Sequence, residues 1–194
     1  MKLSKVKKVC MDTGTIVIKK AEMGMDIKTW IGTNSALYPV RGIDMNAALA
    51  VRIWEIEQKK LRDMQILEDC EGKEATTLID REELESLDFL ADTLTADNNE
   101  VPGLINIATI NGYIMLLDRE KNDAFVFKED KLSPVEGERL LYIPINDSGR
   151  LVAIYSDGIL EAVIIAMKWD KSEYIKGVIS RIAEVCRTKE RGVT

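Results

Sequence analysis

The second half of the chain is a succession of strand-length apolar segments separated by turn residues, and this pattern limits what the chain can fold into. The segments are rich in β-branched and aromatic side chains. The dipeptides Asn111-Gly112 and Asp157-Gly158 between them favour tight hairpins. Because strands joined by short turns pair in antiparallel fashion, an antiparallel sheet is predicted. Its strands cover residues 104–110, 113–117, 124–127, 140–145, 151–155 and 160–167.

The first half combines a smaller set of strands with helices. Apolar side chains three and four residues apart predict a helix over residues 2–11. A second helix is predicted to begin near Met45 with Asp44 as its cap, and a charged helical stretch follows over residues 58–64. Three strands are predicted over residues 15–20, 28–32 and 36–40.

Two further helices complete the expected architecture. Asp80 and Glu83 have the spacing of a capping box, which predicts a central helix over residues 81–94. A C-terminal helix is predicted to begin after Asp170. Together the patterns predict an α+β protein with two small antiparallel β-meanders, or one continuous sheet, packed by N-terminal, central and C-terminal helices.

The chain divides into three segments on these patterns. Residues 1–66 hold a helix, a meander and a second helix, and residues 104–194 hold the antiparallel sheet with the last helix. Residues 67–103 form an acidic helical linker between them, in which residues up to 77 are predicted as a loop. The three segments could also form one continuous domain.

Two stretches of the sequence resemble each other. One runs from Gly14 to Pro39-Val40 and Gly42, and the other from Gly112 to Pro134-Val135 and Gly137. Each predicts three strands that end at a Pro-Val-x-Gly corner, where the missing N–H of proline is not needed for pairing. A true duplication and the ordinary recurrence of Gly and Pro in meanders both explain the likeness.

Residues 68–100 carry most of the negative charge of the molecule. They hold twelve Asp or Glu against two basic residues, Lys73 and Arg81, a net charge of −10, so the other residues carry +4 of the total of −6. Three interpretations stay open: a solvated linker helix, a shield for the basic residues of the protein, or a surface that binds a basic partner. The residues predicted to bind such a partner are Glu82, Glu83, Glu85, Asp88 and Asp92.

The two ends of the chain are rich in lysine and arginine. If the termini lie together, they form a basic patch suited to phosphate backbones, although Glu173, Glu184 and Glu190 interrupt it and the charges alone favour an ordinary solvated helix. This pattern supports a DNA-associated, clamp-like and oligomeric replication accessory as an alternative function. The residues predicted for that role are Lys5, Lys8, Lys176, Arg181, Arg187 and Lys189.

Composition argues against most catalytic chemistry. The chain has no histidine, which excludes Ser-His and Cys-His nucleophile pairs and imidazole metal sites. Asp44, Glu57 and Lys59 resemble the carboxylate-and-lysine sets of Mg²⁺ nucleases, but Glu57 and Lys59 are predicted on a helix, where residues two apart point in different directions. A metal-dependent nuclease therefore ranks last among the expected functions. No cofactor, metal or membrane segment is predicted, and the three cysteines suit a reducing cytoplasm.

Three parts of the sequence carry a resemblance to known proteins. Residues 1–10, Trp30-Ile-Gly with Ala36-Leu-Tyr-Pro-Val40, and residues 157–165 resemble small prophage proteins of gut-dwelling Firmicutes. The resemblance implies an accessory protein of a phage or mobile element in a bacterial cytoplasm. In that context we expect a non-enzymatic protein that binds and blocks a host protein or nucleoprotein, such as a defence nuclease, as anti-CRISPR proteins do.

Overall fold

The computed structural model describes residues 1–23, 26–69, 72–87, 103–118, 123–137, 139–145 and 150–168. Within these residues the helices are α1 (Leu3–Thr13), α2 (Ala47–Ile53), α3 (Gln58–Leu61), α4 (Arg81–Glu85) and a 3-10 helix, Glu129–Leu132. The strands of the first half are β1 (Thr15–Met23), β2 (Asp26–Thr33), β3 (Ala36–Val40) and β4 (Gln65–Glu68). Those of the second half are β5 (Leu104–Ile110), β6 (Tyr113–Asp118), β7 (Ala124–Lys128), β8 (Leu140–Pro144), β9 (Leu151–Ser156), β10 (Ile159–Ile165) and β11 (Met167–Lys168).

The described strands form one 11-stranded sheet in the order β11-β7-β6-β5-β8-β9-β10-β3-β2-β1-β4. All neighbours in it are antiparallel except β1 and β4, which are parallel. Only Ala166 separates β10 from β11, so one stretch of chain pairs with β9 and β3 and then, through its last two residues, with β7. The strands β5 to β11 therefore close a ring, and β3, β2, β1 and β4 extend from it as an open sheet.

The 3-10 helix lies at the junction of the ring and the open sheet. At this point β10 pairs with β3, and β11, which follows it in the chain, pairs with β7. The carbonyl oxygen of Lys131 accepts a hydrogen bond from the Tyr38 hydroxyl at 2.7 Å. The Lys131 ammonium lies 3.5 Å from the carbonyl oxygens of both Ser35 and Ile165. Burial lowers the pKa of Lys131. These contacts tie the ring to the open sheet at the point where the two separate.

Apolar side chains fill both faces of the central strands, as expected for strands that are covered on each side. The larger cluster joins both halves of the chain, since it contains Ile18 and Tyr38 of the open sheet together with Phe127 and Ile154 of the ring. The helices α1 and α2 add side chains to it. The second cluster, on the other face, contains Val17, Trp30, Leu37, Ala153 and Val163 together with Ile79 and Leu84.

The α+β class predicted from the sequence is confirmed, and so are the predicted strands, most with bounds within two residues. The two predicted meanders are parts of one continuous sheet. The prediction that Asp44 caps a helix is wrong: Asn46 caps α2, where its side chain accepts the Leu49 N–H at 2.8 Å. The predicted loop over residues 66–77 is also wrong in part, because β4 occupies its start. The predicted C-terminal helix lies outside the described residues.

The internal resemblance does not extend to three matching strands. Residues 36–40 form β3, but the corresponding segment, residues 131–135, lies in the 3-10 helix and the loop after it. One feature of the corners is shared: Gly42 and Gly137 both have positive φ, +73° and +109°, which favours glycine at each corner. The sequence likeness therefore reflects similar corners more than a repeated three-stranded unit.

Candidate interaction surface

The start of the acidic segment is held against β1 by the carboxylate of Asp69, whose side chain is only 5% exposed. Its Oδ2 accepts hydrogen bonds from the Lys20 N–H at 3.1 Å and the Arg81 guanidinium at 2.9 Å. Its Oδ1 accepts the Ala75 N–H at 2.6 Å. The bond to Asp69 raises the pKa of Arg81. Arg81, one of two basic residues in the segment, is thus paired within the protein.

A buried lysine on β1 holds the next part of the segment. The side chain of Lys19 is 1% exposed, and its ammonium donates to the Glu74 carboxylate at 3.0 Å and the Ile79 carbonyl at 2.8 Å. Ile79 and Leu84 are fully buried in the second apolar cluster. Polar and apolar contacts together anchor residues 68–69 and 72–87 to the sheet, so these residues of the acidic segment form a folded surface.

The carboxylates of α4 have two different roles. Glu83 accepts the Asp80 N–H at 2.9 Å, which confirms the predicted capping box. Glu82 and Glu85 are exposed, and Glu85 also accepts the N–H of Glu22 on β1 at 3.3 Å. The other two residues predicted to bind a partner, Asp88 and Asp92, lie outside the described residues. We define the acidic face by its four exposed carboxylates, Glu22, Asp80, Glu82 and Glu85.

A groove of about 700 Å³ opens where the larger apolar face of β1, β2 and β3 ends. The loop that follows β3 forms one wall, and the start of β10 contributes Ile159. Val40 and Thr29, which are buried and opposite each other on β3 and β2, also line it. We call this the cationic groove and define it by the side chains of Lys20, Ile27, Lys28, Arg41, Ile43 and Asp44.

Asp44 fixes the loop of the cationic groove to the sheet. Its carboxylate lies 2.9 Å from the Lys20 ammonium and accepts the Thr29 hydroxyl at 3.4 Å. The bond to Lys20 lowers the pKa of Asp44. The carboxylate that was predicted to cap a helix therefore serves to close one end of the groove.

Arg41 is positioned by a buried carboxylate on β10. Its guanidinium donates to Glu161 at 2.8 Å and to the Leu160 carbonyl at 2.9 Å. Glu161 lies at a β-bulge, between Leu160 and Ala162, and such bulges redirect side chains. The α-ammonium of Met1 lies 2.7 Å from the second carboxylate oxygen as an ion pair without hydrogen-bond geometry. The bulge thus supplies a buried counter-ion that fixes Arg41 at the groove.

The acidic face and the cationic groove adjoin at the β1–β2 hairpin. Glu22 of the face is the cross-strand partner of Ile27 of the groove. Directly opposite residues of an antiparallel pair have Cβ atoms about 5 Å apart. The exposed carboxylate of Glu22 therefore lies beside Ile27, at the edge of the cationic groove.

The predicted basic patch is described only in part. Lys5 and Lys8 are exposed on α1. Lys176, Arg181, Arg187 and Lys189 lie outside the described residues. The proximity of the two termini therefore stays a prediction.

The residues considered for metal chemistry do not form a cluster in the described part of the chain. Asp44 pairs with Lys20, whereas Glu57 and Lys59 are exposed at the start of α3. Among the described residues there is no group of three or more Cys, Asp or Glu side chains placed to hold a metal ion. None of the helices in these ranges has the length and apolar character needed to cross a membrane.

No protein-family model, curated protein or solved structure that was compared with the chain matches it.

The cationic groove was not predicted from the sequence. A signal for it exists, since Ile27 and Ile43 each follow an aspartate or a glycine and precede a charged residue in turn-rich segments. Isolated apolar residues in turns are common on protein surfaces, so this signal has little specificity. The groove forms because the segments that carry Ile27 and Ile43 come close together in the fold. Their proximity depends on the pairing of β3 with β2 and β10.

Proposed function

We propose that this protein is a non-enzymatic accessory protein of a phage or mobile element, which binds a protein or nucleoprotein in the cytoplasm of its bacterial host and blocks it. A defence nuclease is the expected kind of target. The observation that carries the proposal is the anchoring of the acidic segment to β1 through Asp69, Lys19, Ile79 and Leu84. The prophage context rests on the sequence resemblance described above.

A fixed acidic surface is suited to binding because its charges are already in place. A disordered acidic tail loses conformational entropy when it binds, whereas carboxylates on a folded segment lose much less. Nucleases and nucleoproteins present positive surfaces to phosphate backbones. An acidic face that docks on such a surface competes with the nucleic acid for it, and long-range attraction speeds the encounter.

Three buried charged groups of the described residues support a binding role over a catalytic one. Lys19 is bonded to a backbone carbonyl, Asp69 to two backbone N–H groups, and Glu161 to Arg41. Each of these bonds holds one element of the fold to another. These buried charges therefore stabilise the fold, and the exposed charges are the groups available to a partner.

Charge reversal tests the proposal. The variant Glu82→Lys/Glu85→Lys changes two exposed residues of the acidic face, and Glu57→Lys/Asp63→Lys makes the same change in net charge at exposed positions just before and just after α3. Tagged full-length protein would be used to capture partners from host lysate, followed by quantitative mass spectrometry at several salt concentrations. We expect the first variant to lose at least tenfold of the captured partner, and binding by the unmodified protein to weaken with salt.

Equal capture by the wild type and both variants would contradict the acidic role. The captured partner, if a nuclease, should also cleave its substrate more slowly when the wild-type protein is added. A titration with duplex DNA distinguishes the alternative, since tight and salt-dependent DNA binding by the protein alone would favour the DNA-associated accessory function.

A further inference from the structure

We infer that residues 105–110 of β5, which we call the β5 margin, pair with the β5 margin of a second copy of this chain. The two strands would run antiparallel about a two-fold axis that passes between Ile107 and Ala108. The inference does not depend on the function proposed for the acidic face. It rests on the pairing of β5, on the absence of charge along it and on the symmetry of its side chains.

Strand β5 is paired along one side only. Towards β6 it pairs from Leu104 to Ile110. Towards β8 it has one partner within the described residues, Tyr142, which lies opposite Leu104. Among the described strands, the N–H and C=O groups that the β5 margin directs to that side therefore have no strand to bond. Such a row can accept an additional strand from another chain.

There is room for a further chain beside the β5 margin. A cleft of about 900 Å³ is lined by Asn106 and Thr109 of β5 and by Tyr142 of β8, together with Leu132 and Ser133 at the end of the 3-10 helix. Because the cleft has β5 on one side and β8 on the other, the two strands diverge beyond their single pair. An incoming strand could bond to β5 in the space between them.

The β5 margin carries no charged side chain. The whole strand reads Leu-Ile-Asn-Ile-Ala-Thr-Ile, without the lysine or proline that commonly protects an exposed strand. Its last residue, Ile110, is 52% exposed. Two copies of a chain with a total charge of −6 can therefore meet along this strand without placing like charges opposite each other.

The side chains of β5 divide between the two faces of the sheet. Asn106 is paired with Leu116, which belongs to the larger apolar cluster. Ile107 instead packs in a small cluster with Leu117, which points to the opposite face. With the pairing to β6, these contacts place Ile105, Ile107, Ala108 and Ile110 on the outer face of the ring and Leu104, Asn106 and Thr109 on its inner face.

This order of faces is symmetric about the middle of the β5 margin. A bulge can protect an exposed strand, but the bulge in β5 places the neighbours Ile107 and Ala108 on the same face, which creates the symmetry. About an axis between these two residues, every opposed pair shares a face, and apolar side chains meet apolar ones. The opposed pairs are Ile105 with Ile110, Asn106 with Thr109, and Ile107 with Ala108.

The symmetry favours a second copy over an unrelated peptide. A shift of the register by one residue would place the amide of Asn106 opposite Ala108 or Ile110, which lie on the other face. In the symmetric register, Asn106 of each copy can instead bond to the Thr109 hydroxyl of the other. The strand is therefore complementary to itself in one register.

Sedimentation velocity of the full-length protein, from about 1 µM to about 500 µM, tests the inference, since a contact limited to one strand from each copy forms a weak interface. We expect a reversible monomer–dimer equilibrium. Ala108→Glu places two carboxylates beside the two-fold axis and should raise the dimer Kd at least tenfold. The matched control, Ala48→Glu at an exposed position of α2, should leave the Kd within twofold of the wild-type value.

Cysteine cross-linking tests the register and does not depend on the stability of Ala108→Glu. In the Cys70→Ser/Cys186→Ser background, Ile105→Cys and Ile110→Cys would be made as two proteins with different tags. Mild oxidation of the mixture should link the two proteins, because positions 105 and 110 of different copies are opposite each other. Either protein alone should link at least tenfold more slowly, since equal positions lie roughly 15 Å apart along the strands.

Three results would overturn the inference. The protein could sediment as a monomer at every concentration, Ala108→Glu could dimerise as well as the control does, or each cysteine variant could link to itself as fast as to the other. The charge reversal Glu82→Lys/Glu85→Lys should leave the dimer Kd unchanged, so failure of the proposed function and failure of this inference remain distinguishable.

Discussion

Several buried polar and titratable side chains in this protein are bonded to the backbone of neighbouring elements. The thiol of Cys10 on α1 donates to the Gly32 carbonyl on β2 at 3.1 Å, and Lys19 and Asp69 make comparable bonds to loops. A buried polar group without such a partner costs about 1–3 kcal/mol. At the scale of single residues, these bonds therefore determine which segments can lie against the sheet.

Cys10 should remain unreactive in the folded protein. Burial raises the pKa of its thiol from 9.0 to about 12, so the reactive thiolate is scarce at pH 8.5. In the variant Cys70→Ser/Cys186→Ser, where Cys10 is the remaining cysteine, we expect iodoacetamide to label the protein in urea but not in buffer, as measured by intact mass.

The same pKa shift gives the sign of a pH effect on stability. Because the folded-state pKa lies above the unfolded value, the folded protein retains the proton that the unfolded chain loses between these values. The contribution of Cys10 is therefore complete below about pH 9 and is lost as the pH rises towards 12. In the labelling experiment, rapid reaction of the native Cys70→Ser/Cys186→Ser protein with iodoacetamide at pH 8.5 would show that the Cys10 thiol is accessible. That result would contradict the prediction that Cys10 is unreactive.

The sequence predicts the roles of some residues of the candidate site and not those of others. The capping box of Asp80 and Glu83 is local, because both partners lie within one helical turn, and it was predicted correctly. The role of Asp44 was missed because its partner, Lys20, is 24 residues away and becomes a neighbour only when the sheet forms. Lys19 and Asp69 were missed for the same reason, since nothing in the sequence marks them as buried.

Among the elements, strands were the most predictable and the acidic segment the least. Segments such as β3 and β5 are bounded by turn residues, so their existence and ends follow from local chemistry. The strand β4 has only two apolar residues, Ile66 and Leu67, and exists because β1 offers it a parallel partner. The cationic groove depends on the same kind of distant pairing and could not be predicted from local patterns.

The fold of the acidic segment should depend on Asp69. In Asp69→Ala, the N–H groups of Lys20 and Ala75 lose their acceptor and Arg81 loses its ion pair. We expect a loss of about 2–4 kcal/mol in the free energy of unfolding, measured with urea. Most of it should come from the two N–H groups, because Arg81 is 39% exposed and water screens its charge.

The control for this change is Asp63→Ala, which removes an exposed carboxylate in the turn after α3. It should alter the free energy of unfolding by less than about 0.5 kcal/mol. Similar effects of the two substitutions would show that the Asp69 bonds do not anchor the segment. Partner capture by Asp69→Ala should also fall, since the acidic face would lose its fixed position.

For the whole molecule, the two halves of the chain share one core. The larger apolar cluster contains side chains from both halves, β3 pairs with β10, and Tyr38 bonds to Lys131. Each buried Ile, Leu or Phe stabilises the fold by about 1.5–3 kcal/mol. Separation of the halves would expose many of these side chains at once, so the halves are expected to unfold together.

A cleavable connection tests this expectation on the full chain. A protease site inserted between Thr95 and Ala96 would allow the purified protein to be cut into two pieces. We expect the pieces to co-elute in gel filtration and to unfold in one transition, seen at the same urea concentration by circular dichroism and tryptophan fluorescence. Pieces that elute separately, each with its own transition, would instead support independent domains.

The closed ring also has a consequence for how copies of this protein behave at high concentration. A sheet normally ends in two rows of unpaired N–H and C=O groups, and each row can recruit a strand from another molecule. Because β11 returns to β7, one end of the described sheet closes on itself, and the outer strand at the other end, β4, is four residues long and ends in Glu68. So short a strand offers little template for fibril growth, whereas β5 pairs with β8 only at Leu104, and the row along residues 105–110 is the margin at which a strand of another copy would add.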